Sequence, residues 1–353
     1  MQLFKESIMV AFAFVGVVVG AGFATGQEIF QFFTSNGIYS ISGIIVTGLI
    51  ITLAGVFVLN TGFVIQSHNH SESIRYYLHP IIARIFDIIL TLFLFSLAMI
   101  MTAGGASTIH ESFGLPYWLS SLILVLVILM TLFLRFERLI TVLGMVTPFL
   151  VIVVSIIAIY YFITGDLNFS ATNRFNKQHH SLSLGWWFDG LNYASLQIAA
   201  AFSFLSVMGG RMQHRQSGLW GGLIGGIIIT LLLLMINFGL VTEFEHIQSV
   251  ALPTLLLASH ISPLLGTVMS IIMVLVIYNT IVGLMYAFAS RFTEPFSKGY
   301  FVLIIIMAII TFICTFIGFI SLIGKVFPIM GLFGFILLIP ILYQGFKHLI
   351  FSK

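Results

Sequence analysis

Long apolar runs recur along the chain, separated by short polar segments, and they predict about ten helices. The runs fall at roughly 7–35, 38–65, 81–109, 117–134, 139–164, 185–210, 218–242, 262–290, 299–319 and 322–350. Two connecting segments are longer. Residues 165–184 carry Asn168, Asn173, Asn176, His179 and His180, whereas 243–261 hold Glu243, Glu245 and the apolar stretch 250–257. That stretch is too short to span a bilayer and predicts an interfacial or re-entrant helix.

The first run contains Val17-Val18-Val19-Gly20-Ala21-Gly22-Phe23-Ala24-Thr25-Gly26-Gln27-Glu28, where leucines would be expected. Each glycine weakens a helix by roughly 1 kcal/mol relative to alanine, and a carboxylate at the bilayer centre costs about 2.5–3.5 kcal/mol on insertion scales. Backbone that opens at membrane depth survives only where it is buried in protein or lines a cavity. Gly16/Gly20 and Gly22/Gly26 have the spacing of close helix packing, but packing alone does not call for Gln27-Glu28. The pattern predicts a discontinuous helix with a binding site at the break.

Composition agrees with a membrane protein. Apolar residues make up 59% of 353 positions and charged residues 7%, and the mean hydropathy is +1.15. The formal net charge of +3 comes from 14 basic and 11 acidic residues with no basic run, so no nucleic-acid partner is expected. Cys314 is the single cysteine and lies in an apolar run, which excludes disulfides and cysteine metal sites. With the N-terminus inside, Lys5, Arg75, Arg84, Arg135, Arg138, Arg211, Arg215, Arg291, Lys298, Lys347 and Lys353 fall on the cytoplasmic side. Only Arg174, Lys177 and Lys325 fall outside, eleven against three of the 14. This asymmetry places a multi-pass protein in the cell membrane, among its lipids, with both termini cytoplasmic.

An internal repeat organises the helices. Ile140-Thr141-Val142-Leu143-Gly144-Met145-Val146-Thr147-Pro148 reads like Ile320-Ser321-Leu322-Ile323-Gly324-Lys325-Val326-Phe327-Pro328, an offset of 320 − 140 = 180 residues. At nearly the same offset Gly20-Ala21-Gly22-Phe23 meets Ala199-Ala200-Ala201-Phe202. Five helices per half invert the second half, so a single transmembrane domain over 1–353 is expected. It comprises repeat one at 7–164, a loop at 165–184 and repeat two at 185–350. This all-α architecture, ten helices as a 5+5 inverted repeat with discontinuous first and sixth helices, resembles the LeuT-type fold of the amino acid–polyamine–organocation superfamily. The Gly-Ala-Gly-Phe-Ala-Thr-Gly-Gln-Glu motif is similar to the YkvI-like bacterial membrane proteins.

The resemblance implies a substrate site at the two breaks. Backbone N–H groups of Gly20, Ala21 and Gly22 would meet a carboxylate, and Ser203, Phe204, Leu205 and Ser206 would face the other end of the substrate. Helix back-bonding is the plainer reading of the serines. Phe23, Phe202, Phe204 and Tyr278 are candidates for the cavity wall. Carbonyls of Gly16 and Val19 with the side chains of Asn279 and Thr280 match the family's sodium position, although the family has two hydroxyl residues there. An interhelical hydrogen bond from Asn279 is the alternative, and proton coupling through Glu28 is the rival to sodium. The family's charge pairs imply two gates, Glu28 with Lys325 at the outer side and Lys5 with Glu294 at the inner side. Gly221, Gly222, Gly225 and Gly226 read as close helix packing.

No phosphate-binding loop, nucleophile–base pair or metal constellation stands out, so an enzyme is not expected and no cofactor beyond a possible bound sodium ion. The function expected is cation-coupled symport, by sodium or protons, of a small amino acid or related amine by alternating access. The alternative is a non-transporting ligand-sensing receptor of the same fold, like the germinant receptors.

Overall fold

The computed structural model describes residues 2–67, 70–133, 146–165, 169–179, 184–248, 250–294 and 297–351. Arg135, Arg138 and Lys353 of the charge asymmetry, and residues 140–145 of the repeat match, lie outside these. The described residues are mostly helical, and no strand occurs among them. In chain order the helices are α1 (Gln2–Val18), α2 (Ala21–Thr25), α3 (Gln27–Phe32), a 3-10 turn (Thr34–Tyr39), α4 (Ser40–Ile65), α5 (His70–Tyr77), α6 (Pro80–Phe113) and α7 (Tyr117–Leu132). There follow α8 (Val146–Thr164), α9 (Ser170–His179), α10 (Trp186–Arg211), α11 (Arg215–Thr242), α12 (Phe244–Ile247), α13 (Pro253–Ile261), α14 (Pro263–Phe292), α15 (Lys298–Thr315) and α16 (Phe319–Phe351). Among the described residues seven helices are long and apolar enough to cross a membrane: α4 with its preceding turn, α6, α10, α11, α14, α15 and α16. Leu49, Met130 and Ile306 are among many large apolar side chains that stay exposed on the bundle, as a lipid-facing surface requires.

Small residues draw the helices together, because lipid tails supply no hydrophobic drive for helices to associate. Helix α11 carries two glycine stripes. Gly221 and Gly225 lie against Val10, Ala11 and Phe14 of α1, while Gly222 and Gly226 lie against Val56 and Thr52 of α4. Those four glycines therefore pack helices, as their spacing predicts. Helices α4 and α10 meet backbone to backbone at Gly62 and Gly209.

Proline shapes α16. Pro328 has no N–H to donate, so the Gly324 carbonyl one turn earlier loses its helical partner. Gln31 Nε2 of α3 donates to that carbonyl at 3.4 Å. Asn192 Nδ2 of α10 donates to the Pro328 carbonyl at 3.1 Å, and Ser195 Oγ to the Gly331 carbonyl at 2.5 Å. The turn around Pro328 is thus a polar joint between α16, α10 and the end of the broken first helix.

The expected opening near residues 202–206 is corrected: α10 runs unbroken from Trp186 to Arg211. Ala199, Ala200 and Ala201 are the strongest helix formers, and the next glycines, Gly209 and Gly210, come only where α10 ends. The segment 243–261 forms α12 and the nine-residue α13.

Candidate binding site at the first-helix break

The first apolar run does open. Helix α1 stops at Val18 and the Gly20 N–H turns back to the Val18 carbonyl at 2.9 Å. The chain restarts when Ala24 N–H donates to Gly20 O at 3.0 Å, and it stops again at Gly26. Gly26 sits at φ +76°, where a side chain is strained, and an added Cβ would lie 2.7 Å from Thr254 Cγ2. Glycine is required there twice over. Thr25 Oγ donates to the Gly22 carbonyl at 2.8 Å, and the Gln27 N–H donates to Thr25 Oγ at 3.3 Å.

Helix α13 caps the break from outside the run. Thr254 Oγ donates to the Ala24 carbonyl, which a continuous helix would satisfy internally. Thr254→Val keeps the shape and removes the donor, leaving a buried acceptor at a cost of about 1–3 kcal/mol. We expect thermal unfolding of the purified variant in detergent to show that loss. Unchanged stability would mean that α13 does not hold the break.

Past Gly26, helix α3 turns Glu28 inward. Glu28 is 4% exposed, and two donors from α10 converge on its Oε2: Tyr193 Oη at 3.3 Å and Gln197 Nε2 at 3.2 Å. Its other oxygen, Oε1, lies against Gly22, where an added Cβ would come within 1.4 Å of it. The carboxylate and the broken backbone therefore share one small space. That space is a cavity of about 70 Å³ lined by Val17, Val18, Gly20, Gly22, Phe23, Glu28, Phe93, Leu97, Met101, Leu196, Gln197, Ala200, Thr280 and Phe327. It is several times the ~10–15 Å³ that one water needs. The site is apolar on most sides with one carboxylate, one amide and one hydroxyl converging, the usual make-up of a small-molecule pocket.

Comparison with known proteins bears on the fold. The chain is 24% identical over 334 residues to the uncharacterized protein YyaD of Bacillus subtilis, spanning 93% of this chain and 94% of that one. It is 26% identical over 327 residues to the uncharacterized membrane protein YkvI of the same organism, spanning 91% of each. No family model matches. A crystal structure of the Eremococcus coleocola manganese transporter superposes with a TM-score of 0.56 at 15% identity, covering 99% of this chain and 88% of that one. The likeness is one of fold.

Within that fold the residues singled out from the sequence separate into those at the cavity and those elsewhere. Gly20, Gly22 and Phe23 line it, as does Thr280, whose hydroxyl donates to Val276 O at 2.9 Å. Ala21 opens α2 beside them. Gly16, Val19 and Asn279 are not among the lining residues, nor is Tyr278, whose hydroxyl meets Thr131. On α10 the cavity wall is Leu196, Gln197 and Ala200 in place of the segment from 202 to 206. The reason is the unbroken helix: Phe204 lies seven residues beyond Gln197 on the same face, about 10 Å further along the axis, and is 45% exposed. Phe202 is buried against the Tyr77 ring, and Ser206 Oγ joins Ser67, at 3.0 Å, and Ser73 in a buried hydroxyl cluster with α5. Ser203 is half-buried between them in sequence.

Neither expected gate pair is formed. Lys325 is exposed and makes no ion pair with Glu28, because neutral donors on α10 already satisfy Glu28 Oε2. Lys5 and Glu294 are both exposed and unpaired with each other. The neighbouring Glu6 ties α1 instead, accepting from Gln213 N–H and Ser217 Oγ, both at 2.6 Å, with His214 Nδ1 at 3.0 Å from it. Tyr193 and Gln197 are the site residues that sequence reasoning missed. Gln197, an amide within the apolar run 194–202, was the available signal.

Proposed function

We propose that the protein is a secondary active transporter that moves a small amino acid or related amine across the cell membrane by alternating access, coupled to sodium or protons. The observation that carries this reading is a buried carboxylate beside a small cavity at the break between α1 and α2, since half-open helices at membrane depth mark substrate and ion sites. The likeness of fold to a manganese transporter supports it. In this reading the chain is one transmembrane domain of ten helices, a 5+5 inverted repeat of the LeuT type with both termini cytoplasmic. The cavity beside Gly20, Gly22 and Glu28 holds the solute near the midplane, and Thr280 with the carbonyls ending α1 forms the place for a sodium ion. Proton coupling is the competing mode and would run through Glu28.

The test is flux. Purified protein in liposomes is assayed for uptake of radiolabelled alanine and labelled propylamine under an imposed sodium gradient, an imposed proton gradient and neither. We expect gradient-dependent accumulation of at least one solute above empty liposomes, abolished by Glu28→Ala. Saturable binding with no flux under any gradient would overturn transport and favour a ligand-sensing receptor.

A further inference from the structure

The sequence places a ligand carboxylate at Gly20, Ala21 and Gly22, yet the structure fills that place with the chain's own carboxylate. Glu28 Oε1 lies so close to Gly22 that even a methyl group does not fit between them. Both side-chain donors to Glu28 go to Oε2, which leaves Oε1 against Gly22 at the edge of the cavity that the two residues line. Among the described residues, no lysine, arginine or histidine lines the cavity. A buried carboxylate without a cation is costly, by several kcal/mol per ion in real proteins, and a positively charged ligand offsets that cost. A second carboxylate brought against Glu28 would add like-charge repulsion in a low-dielectric space.

The rest of the wall chooses between kinds of cation. A bare divalent ion of the hard class takes six or more oxygens, and the cavity side chains offer those of Glu28, Gln197 and Thr280. Phe23, Phe93, Phe327, Leu97 and Met101 also line it. Aromatic faces attract ammonium groups, and apolar side chains accept a hydrocarbon tail. We infer that this cavity takes a small alkylammonium ion, held by its N–H groups at Glu28 Oε1, and rejects ligands that carry a carboxylate, zwitterionic amino acids included. The inference rests on the transporter reading only for what the cavity is for; the binding chemistry stands on the residues themselves.

The test separates the two. Full-length protein in lipid nanodiscs is titrated calorimetrically with propylammonium chloride, alanine and sodium propionate, three probes of equal carbon number that differ in charge. Saturable binding of propylammonium alone is expected, weakened roughly ten- to a hundredfold in Glu28→Gln, the range that follows from losing a hydrogen bond between charged groups. Glu28→Asp, which keeps the charge but withdraws it by one methylene, is expected to fall between. Should Glu28→Gln not remain monodisperse, the selectivity of the wild type among the probes decides by itself. Alanine or propionate binding as tightly as propylammonium, no propylammonium binding to folded wild type, or full affinity in a folded Glu28→Gln would each overturn the inference. Propylammonium binding without flux in liposomes would uphold it and reject transport; alanine flux without propylammonium binding would do the reverse.

Discussion

Gly22→Ala will destabilise the protein by about 1–3 kcal/mol, the usual cost of overpacking, and that loss will largely disappear when Glu28 is also truncated to alanine. The new Cβ would stand 1.4 Å from Glu28 Oε1 and 2.4 Å from its Cδ, so the carboxylate has to leave. A side-chain end can often move aside, but this one is confined: Glu28 is buried, and Tyr193 and Gln197 fix its other oxygen. Displacing it weakens those two hydrogen bonds as well, which places the loss toward the upper end of that range. The same displacement removes the acceptor at the cavity, so ligand binding is expected to fail in Gly22→Ala before the fold does. Thermal unfolding of wild type, both single variants and the double variant in one detergent closes the cycle. Strict additivity of the two single effects would show that Gly22 and Glu28 do not share the space described.

This pairing also shows what a sequence can and cannot disclose about such a site. The break itself was legible, because glycine content and a carboxylate in an apolar run are local properties of residues 16–28. The glycine stripes of α11 were legible for the same reason, being a matter of spacing on one helix. The partner of Glu28 was not. A buried carboxylate raises the expectation of an opposite charge, and Lys325 was the available one, but the fold satisfies Glu28 with an amide and a phenol 165 or more residues away on α10. Neutral donors leave no charge signature in a sequence. The second expected break failed for a different cause: matching Ala199-Ala200-Ala201-Phe202 to Gly20-Ala21-Gly22-Phe23 treats alanine and glycine as equivalent small residues. They are equivalent for close packing and opposite for helix stability, by roughly 1 kcal/mol per residue.

That opposition sets up the other large effect. Gly209→Ala will lower stability at the upper end of the roughly 1–3 kcal/mol that overpacking costs, whereas Gly283→Ala will raise it by about 0.5–1 kcal/mol. Gly283 is inside α14 and Gly209 is in the last turn of α10, both helical, so alanine is the better helix former at each. Their surroundings differ. A Cβ at Gly209 would stand 2.3 Å from the Leu59 carbonyl oxygen and 3.1 Å from the Gly62 Cα, and one at Gly62 would stand 2.2 Å from the Ser206 carbonyl oxygen. These are backbone atoms of two helices, and no rotamer change can withdraw them; α4 and α10 would have to move apart along their length. A Cβ at Gly283 meets nothing within 4 Å. Separation of α4 from α10 also pulls on Tyr193 and Gln197, so Gly209→Ala should weaken ligand binding without touching the cavity, while Gly283→Ala should not. Melting curves of the two variants and the wild type in the same detergent, followed by propylammonium titration, measure both. A Gly209→Ala protein that melts at or above the wild-type temperature would mean that the α4–α10 contact is looser than described and does not hold the cavity wall in place.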